Sequence, residues 1–386
     1  MPDRPFDPSV CAGHRIHVFA PLPFWGKGPA ETCYNVCAPW RAEGAVVGIY
    51  TTLATRADPA GVLRPALPRG VPGSITGRLA GSAFWMRHLT RGAEARAAAA
   101  VRPGDLCHVW PGTSIAAIEA ARDRGGVIVL EFINTHVAEA RRILQDESAR
   151  LGAPAFDAIT DDDIGHEQAR LALADAVFAP GPFVGPSIRA AFGDGVRILE
   201  TSYGAHLPRT PRPPRRPGPV RFLFVGTAGL RKGVPVLLES WRRAGLPAEL
   251  CLVGAVDPWM TAQVARAPQP SVRFAGFVDG VAQLYADADV FVFPSLEEGG
   301  PQVTYEAAAH GLPLIVTPMG GGRIARDGHN ALIVPPSDAD ALAAALTTLA
   351  QDADLRARFG AQAALDARDY AWDRVSRSRL AMLAAV

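Results

Sequence analysis

Short, almost unbroken apolar runs alternate with longer amphipathic stretches along the 386-residue chain. In the first half the runs are HRIHVFAP (14–21), VVGIYT (46–51), DLCHVWPG (105–112), VIVLEFIN (127–134), AVFAP (176–180) and VRILETSYG (196–204). A strand with one wet face alternates apolar and polar residues. Runs that are apolar at nearly every position suit parallel strands covered on both faces. Helical patterns fill the gaps, among them 29–44, 114–125 and 136–151, and Gly125–Gly126 ends the second of these. From residue 220 the alternation restarts, with strands expected at 220–226, 248–254, 272–278, 289–295, 313–318 and 331–336. Two separate series of strand–helix repeats predict an α/β fold of two Rossmann-like, doubly wound domains.

Between the two series lies LPRTPRPPRRPGP. Proline fixes φ and removes the N–H donor, so this stretch is expected to be an extended linker (208–219). It follows a first domain over 1–207. Lysine plus arginine total 39 and aspartate plus glutamate 38, which gives no sign of a nucleic-acid partner. Five scattered cysteines fit buried thiols in a reducing compartment; Cys33 and Cys37 share a helix face but lack further ligands at metal-site spacing. The first residues carry no apolar core of signal-peptide length, and no run of about 18 apolar residues occurs. A cytoplasmic protein is expected. Residues 78–101 mix Phe84, Trp85 and Met86 with Arg87, His88, Arg91 and Arg96; they are either an ordinary surface helix or a peripheral contact with the inner face of a membrane.

In open parallel sheets, ligands bind beyond the carboxyl ends of the strands, so the loops after the strands are the places for chemistry. In VGTAGLRKG, Gly226, Gly229 and Gly233 allow close backbone approach, while Arg231 and Lys232 add charge near a helix start. That combination suits a diphosphate. In FPSLEEGGPQVTYEAAAHG, the turn Gly299–Gly300 opens a helix expected from about Pro301 to His310. Its free N–H groups, near Gln302 and Val303, favour an anion. Glu298 and Glu306 flank that turn, and a carboxylate accepts hydrogen bonds from vicinal hydroxyls. Together these features suit a ligand built of sugar, phosphate and ribose. Gly320–Gly322 again permit close approach, and the backbone of GFV (276–278) either meets a nucleobase edge or simply ends a strand. DDD (161–163) and DAD (287–289) read as helix-start charges rather than as a metal site.

The order FLFVGTAGLRKG, LCLVG, VRFAGFV, LYADADVFVFPS, EEGGPQVTYEAAAHGLPLIVT, GGGRIARDGHNALIVPPSD resembles the retaining glycosyltransferases of family 4 over about residues 220–340. The resemblance implies the GT-B fold, in which two Rossmann-like domains face a cleft. It implies that Glu298 contacts the donor sugar, that Glu306 binds the ribose and that Arg231 and Lys232 hold the diphosphate. It further implies that the helix start (Gly299, Gly300, Gln302, Val303) and Gly226 border the donor and that the backbone of Phe277 and Val278 reads the base. In the first half, GKGPAE (26–31) resembles the family's glycine-rich loop, giving Gly28, and VLEFINTH (129–136) resembles the segment ending in its active-site histidine, giving His136; His108 is the competing histidine. YAWDRV (370–375) resembles the start of the closing helix. A nucleotide-sugar domain over 220–369 and a helix over 370–386 crossing back to the acceptor-binding first domain are therefore expected. A glutamate is common in the family where Arg323 stands.

The expected activity is transfer of a sugar, with retention, from a nucleotide-diphosphate sugar to a glycan, lipid-linked or small-molecule acceptor. No metal and no cofactor are expected, since the two cations and the helix N-terminus would stabilise the departing diphosphate. The alternatives are a nucleotide-sugar epimerase or hydrolase on the same fold, or a non-catalytic nucleotide-sugar-binding protein.

Overall fold

The computed structural model describes residues 13–386 apart from 27, 69, 210–217 and 279. Most of the expected proline-rich linker therefore lies outside the described residues. The first sheet contains β1 (Arg15–Phe19), β2 (Val46–Thr51), β3 (Leu63–Pro65), β4 (Leu106–Val109), β5 (Val127–Glu131), β6 (Ala176–Ala179) and β7 (Arg197–Glu200), in the order β3-β2-β1-β4-β5-β6-β7. The second contains β8 (Val220–Val225), β9 (Ala248–Val253), β10 (Val272–Gly276), β11 (Val290–Phe293), β12 (Leu314–Val316) and β13 (Ala331–Ile333), in the order β10-β9-β8-β11-β12-β13. Every pairing between these strands is parallel. β4, β6 and β11 are buried at all four positions, as their unbroken apolar runs require.

β3 escapes the sequence pattern. It is three residues long, with only Leu63 buried, and it ends in a proline that an edge strand tolerates. The 78–101 stretch also differs from expectation. It is not one helix: Gly73–Ala80 and Ala83–Ala100 are separate, and Ser82 caps the second by accepting from the Trp85 N–H. DDD does open a helix, where Thr160 and Asp163 form a capping box. DAD does not: Asp287 ends a helix, and Asp289 leads into β11 and accepts from the Arg221 N–H at 2.9 Å.

The last helix, Trp372–Ala384, packs on the first domain rather than the second. Its Trp372, Val375, Leu380 and Leu383 join the cluster formed by Ile16, Val18, Trp40 and Phe178. Trp40 donates its indole N–H to the Ser376 carbonyl at 2.9 Å, and the Ser376 hydroxyl donates to the Val36 carbonyl at 2.6 Å. Arg379 reaches deeper and forms a wholly buried ion pair with Glu131 at 2.8 Å. The C-terminal segment thus buckles the two sheets into one body.

Strand order reverses between β1 and β4 in the first sheet and between β8 and β11 in the second. At such a point the helices leaving adjacent strands diverge to opposite faces and open a crevice. The loops after β8 and β11 carry Gly226–Gly233 and Pro294–Pro301, the segments that the sequence singles out.

Candidate active site in the interdomain cleft

The loops after β8 and β11 are stitched together. Gly233 has φ 67°, and a Cβ there would lie 2.0 Å from the Pro294 carbonyl oxygen, so only glycine lets the two loops touch. The Leu296 N–H donates to the Arg231 carbonyl at 2.9 Å, and the Ser295 hydroxyl to the same carbonyl at 3.2 Å and to Glu298 Oε1 at 2.9 Å. This framework sets two cation–carboxylate pairs side by side. Lys232 Nζ bonds Glu298 Oε1 and lies 5.5 Å from the centroid of the Phe293 ring. Burial lowers the Lys232 pKa, with Glu298 opposing. Arg231 donates to Glu297 Oε2 at 3.0 Å, and Glu297 Oε1 accepts from both the N–H and the hydroxyl of Thr135 at 2.9 Å. Glu297 is 1% exposed and joins the second domain to the first.

The glycine turn presses directly on the first domain. A Cβ on Gly299 would sit 2.3 Å from the carbonyl carbon and oxygen of Ile133, and one on Gly300 would sit 2.6 Å from the Tyr203 ring. The following helix spans Gln302–Ala309, with Pro301 as its N-cap and His310 as its C-cap, one residue shorter at each end than expected. Gln302 Oε1 accepts from the Thr32 hydroxyl at 2.8 Å, so the start of this helix meets the first-domain helix Gly28–Cys37, which Gly28 opens. One turn on, Glu306 Oε2 accepts from the Tyr285 hydroxyl at 2.9 Å and Oε1 from the Gln302 amide at 3.5 Å. Burial raises the Glu306 pKa, with Tyr285 opposing. Val303 and Val278 pack on the second core, while Phe277 is 69% exposed. Gly226 has φ 149° and lies over the rings of Phe224 and Phe293. A Cβ on Gly320 would lie 2.3 Å from the Phe293 carbonyl oxygen, a close approach inside its own domain.

His136 caps the helix Val137–Leu151, its Nδ1 accepting from the Ala138 N–H at 3.2 Å, and its own N–H donates to the Ser187 hydroxyl at 2.9 Å. The ring is fully buried, and burial lowers its pKa. Its Nε2 lies 3.4 Å from Glu167 Oε2 without forming a hydrogen bond to it. The cleft is reached instead by its neighbours Asn134, Thr135 and Val137. Burial pushes the Glu167 carboxyl up to about 7. His108 lies elsewhere, within the first core. Its Nε2 is 2.9 Å from Glu131 Oε2 and its Nδ1 is 3.5 Å from Cys37 Sγ. Burial opposes its charge, but Cys37 and Glu131 outweigh burial and lift it to about 9. Among the described residues, no group of three or more His, Cys, Asp or Glu side chains is arranged to hold a metal ion.

Beside Arg231 and Lys232 opens a cleft of about 690 Å³ between the domains. Thr227, Leu230, Asp257 and Trp259 wall it on one side, and Val137, Leu144, Phe156 and Ile159 on the other. A smaller pocket of about 180 Å³, holding Glu167 and Arg170, adjoins it and shares Asn134, Thr135 and Val137. Glu297, Thr135, Glu167 and Trp259 are absent from the residues that the sequence singles out. Glu297 adjoins Glu298, and only the fold decides which of the two faces the first domain.

The family "Glycosyl transferases group 1" matches residues 219–352. The chain is 34% identical over 160 residues to a phosphatidyl-myo-inositol mannosyltransferase of Mycobacterium leprae, covering 38% of this chain and 41% of that protein. It is 30% identical over 218 residues to a glycogen synthase of Mycobacterium tuberculosis, covering 53% and 52%. A D-inositol 3-phosphate glycosyltransferase of Streptomyces bingchenggensis is 37% identical over 99 residues, covering 25% and 22%. The chain thus spans about half the length, or less, of the curated relatives it matches. The whole fold is shared with Anabaena HepE, solved in complex with UDP and glucose (TM-score 0.67, 17% identity, covering 97% of this chain and 100% of that one). It is also shared with WaaG, a glycosyltransferase involved in lipopolysaccharide biosynthesis (TM-score 0.66, 16% identity, covering 96% and 99%). The architecture is GT-B.

Proposed function

Because residues 219–352 match the group 1 glycosyl transferases, we propose that this protein transfers a glycosyl group from a nucleoside-diphosphate sugar to an acceptor hydroxyl in the interdomain cleft. The observation that carries the reading is the double pair Lys232–Glu298 and Arg231–Glu297, set at the strand-order reversal beside the start of the helix Gln302–Ala309. Each cation already has a carboxylate partner, so the pairs are charge-balanced. A diphosphate arriving at Lys232 and Arg231 takes the place of those carboxylates. Glu298 is then released to accept hydrogen bonds from the donor sugar's hydroxyls, and Glu306 accepts from the ribose.

In the reaction the bond from the anomeric carbon to the diphosphate oxygen breaks, and a bond to the acceptor oxygen forms. Negative charge builds on the leaving diphosphate, where Lys232, Arg231 and the helix starting at Gln302 stabilise it without a metal. The family resemblance implies retention, and with no carboxylate assigned as a nucleophile the acceptor attacks on the face that the diphosphate leaves, and the acceptor's proton passes to the departing phosphate oxygen. The product keeps the donor's anomeric configuration. His136 acts through the helix it caps and the Asn134–Val137 turn it fixes, both of which border the cleft. The buried contacts of Glu297 and Gly299 with the first domain exclude water and favour transfer over hydrolysis.

Incubating the protein with nucleotide sugars and a glycoside acceptor, with EDTA present, tests the reading by NMR. A new glycosidic bond with the donor's anomeric configuration supports it. An inverted product contradicts the same-face step, and free sugar or an epimer as the sole product contradicts transfer.

Phe84 and Trp85 are 62% and 51% exposed beside Arg87, His88 and Arg91. An apolar tip beside two arginines suits the headgroup layer of an anionic bilayer, which would hold the protein peripherally. Among the described residues no helix is long and apolar enough to cross a membrane. Flotation with anionic liposomes, lost in a Phe84→Ser/Trp85→Ser variant, tests this contact; no flotation of the unaltered protein rules it out.

A further inference from the structure

The cleft beside Arg231 has two unlike ends. At the inner end the ion pairs, Asn134 and Thr135 gather polar groups around the point of transfer. Away from these groups the lining is mostly apolar, with Ser148, Asp157 and Asp257 among its polar members. Val137, Ala140 and Leu144 recur along one face of the helix Val137–Leu151, at the spacing that puts side chains in a single stripe. Phe156 and Ile159 extend that wall in the loop that follows, and Trp259, on the first turn of the helix Pro258–Arg266, lines the opposite side. Ala140 and Leu144 are 4% and 2% exposed, so they back this wall, and Val137, Phe156, Ile159 and Trp259 offer its surface.

The charges matter as much as the apolar surface. The cleft's two cations, Arg231 and Lys232, come from the second domain, and each is bonded to a glutamate. The first-domain side contributes no lysine or arginine to the lining, and its one charged residue is Asp157. The nearby Arg141 points away, into an ion pair with Asp161 at 2.7 Å. An acceptor carrying a phosphate on this side would meet the Asp157 carboxylate, and the first-domain cation Arg170 lies outside the cleft, in the adjoining pocket with Glu167.

We propose that the cleft is the acceptor subsite and that it takes an uncharged acceptor whose reacting hydroxyl is borne on a flat, apolar aglycone. The hydroxyl sits at the polar end beside Asn134 and Thr135. The aglycone lies between the Val137–Leu144 stripe and Trp259, with Phe156 at its edge. Aromatic faces and aliphatic walls suit a ring system, which gives up little conformational freedom on binding. The inference rests on the glycosyl-transfer reading for its direction, and its test separates the two.

The test is isothermal titration of the full chain, alone and with a saturating nucleoside diphosphate, using 4-nitrophenyl glucoside, methyl glucoside and inositol 1-phosphate as probes. The expected result is that the nitrophenyl glycoside binds at least about tenfold more tightly than the methyl glycoside, an increment within the range of one buried ring. Inositol 1-phosphate binds more weakly than either. Trp259→Ala and Phe156→Ala should each remove most of the nitrophenyl preference while leaving nucleoside-diphosphate affinity unchanged; both side chains are partly exposed, so folding survives. Equal affinity for the two glycosides, preference for the phosphate, or variants that keep the preference overturn the proposal. Failure of every nucleoside diphosphate to bind overturns the transfer reading instead, and the glycoside titrations of the free protein still decide the subsite.

Discussion

A single methyl group at Gly299 should uncouple binding from turnover. The Cβ of Gly299→Ala would fall 2.3 Å from the Ile133 carbonyl carbon and oxygen and 2.5 Å from the Asn134 nitrogen. These are backbone atoms and cannot swing aside. Non-bonded heavy atoms settle at about 3.5 Å or beyond, so the two walls must part by about 1 Å. That displacement falls on the Ile133–Val137 segment, which borders the point of transfer. A misplacement of about 1 Å can cost ~100-fold in rate. Lys232 and Glu306 belong wholly to the second domain and do not move with that wall. Gly299→Ala is therefore expected to lower kcat about 100-fold with a much smaller loss of nucleoside-diphosphate affinity, and small-angle scattering should show a larger radius of gyration. Gly165→Ala is the matched control. It lies in the helix Asp161–Ala172 with nothing within 4 Å of its Cβ, and it should be neutral or stabilising by about 0.5–1 kcal/mol. Near-normal turnover in Gly299→Ala, or loss of nucleotide affinity equal to the loss of rate, would refute the reasoning.

Other substitutions probe separate parts of the structure. Arg379→Met leaves Glu131 buried without its strongest partner and should destabilise the first domain by about 3–5 kcal/mol, read by calorimetry; adding Glu131→Gln should restore part of the loss. Arg323 joins the domains by donating to the Thr201 carbonyl at 2.6 Å, to the Gly181 carbonyl at 3.2 Å and to Glu200. Arg323→Glu should open the cleft in scattering, whereas Arg323→Lys should largely keep it closed. Burial holds the Glu167 proton up to about 7 against an ordinary 4.5, so the folded protein binds more protons than the unfolded chain between those values. Stability should then fall as pH rises from about 4.5 to 7, by up to ~3 kcal/mol from this residue, and Glu167→Gln should flatten that slope in denaturant titrations.

The strands were the most legible part of the chain because their signal is local. β2 was expected at 46–51 and is observed at Val46–Thr51, and all six strands of the second sheet fall inside their apolar runs. β3 was not legible, since a three-residue edge strand with one buried residue has no periodicity to read. The glycine-rich stretches were legible as close approaches but not as approaches to what. Gly299 and Gly300 meet the first domain, whereas Gly320 meets its own Phe293 carbonyl. Pairing was harder still. Nothing local tells that Glu297 reaches Thr135, 162 positions away, or that the His136 ring turns inward to cap its helix. The Glu131–Arg379 pair spans 248 positions and depends on the last helix crossing back, which the family resemblance suggested and local patterning did not.

In the proposed reaction Lys232 and Glu306 frame a donor site for a nucleoside diphosphate sugar. Isothermal titration of UDP, GDP, ADP, TDP and CDP into the unaltered protein, Lys232→Ala and Glu306→Ala tests it most directly. One nucleotide should bind selectively to the unaltered protein, Lys232→Ala should abolish the difference between the diphosphate and its nucleoside, and Glu306→Ala should weaken nucleotide and nucleoside alike. Binding that survives both substitutions, or no binding of any nucleotide to the unaltered protein, would contradict it.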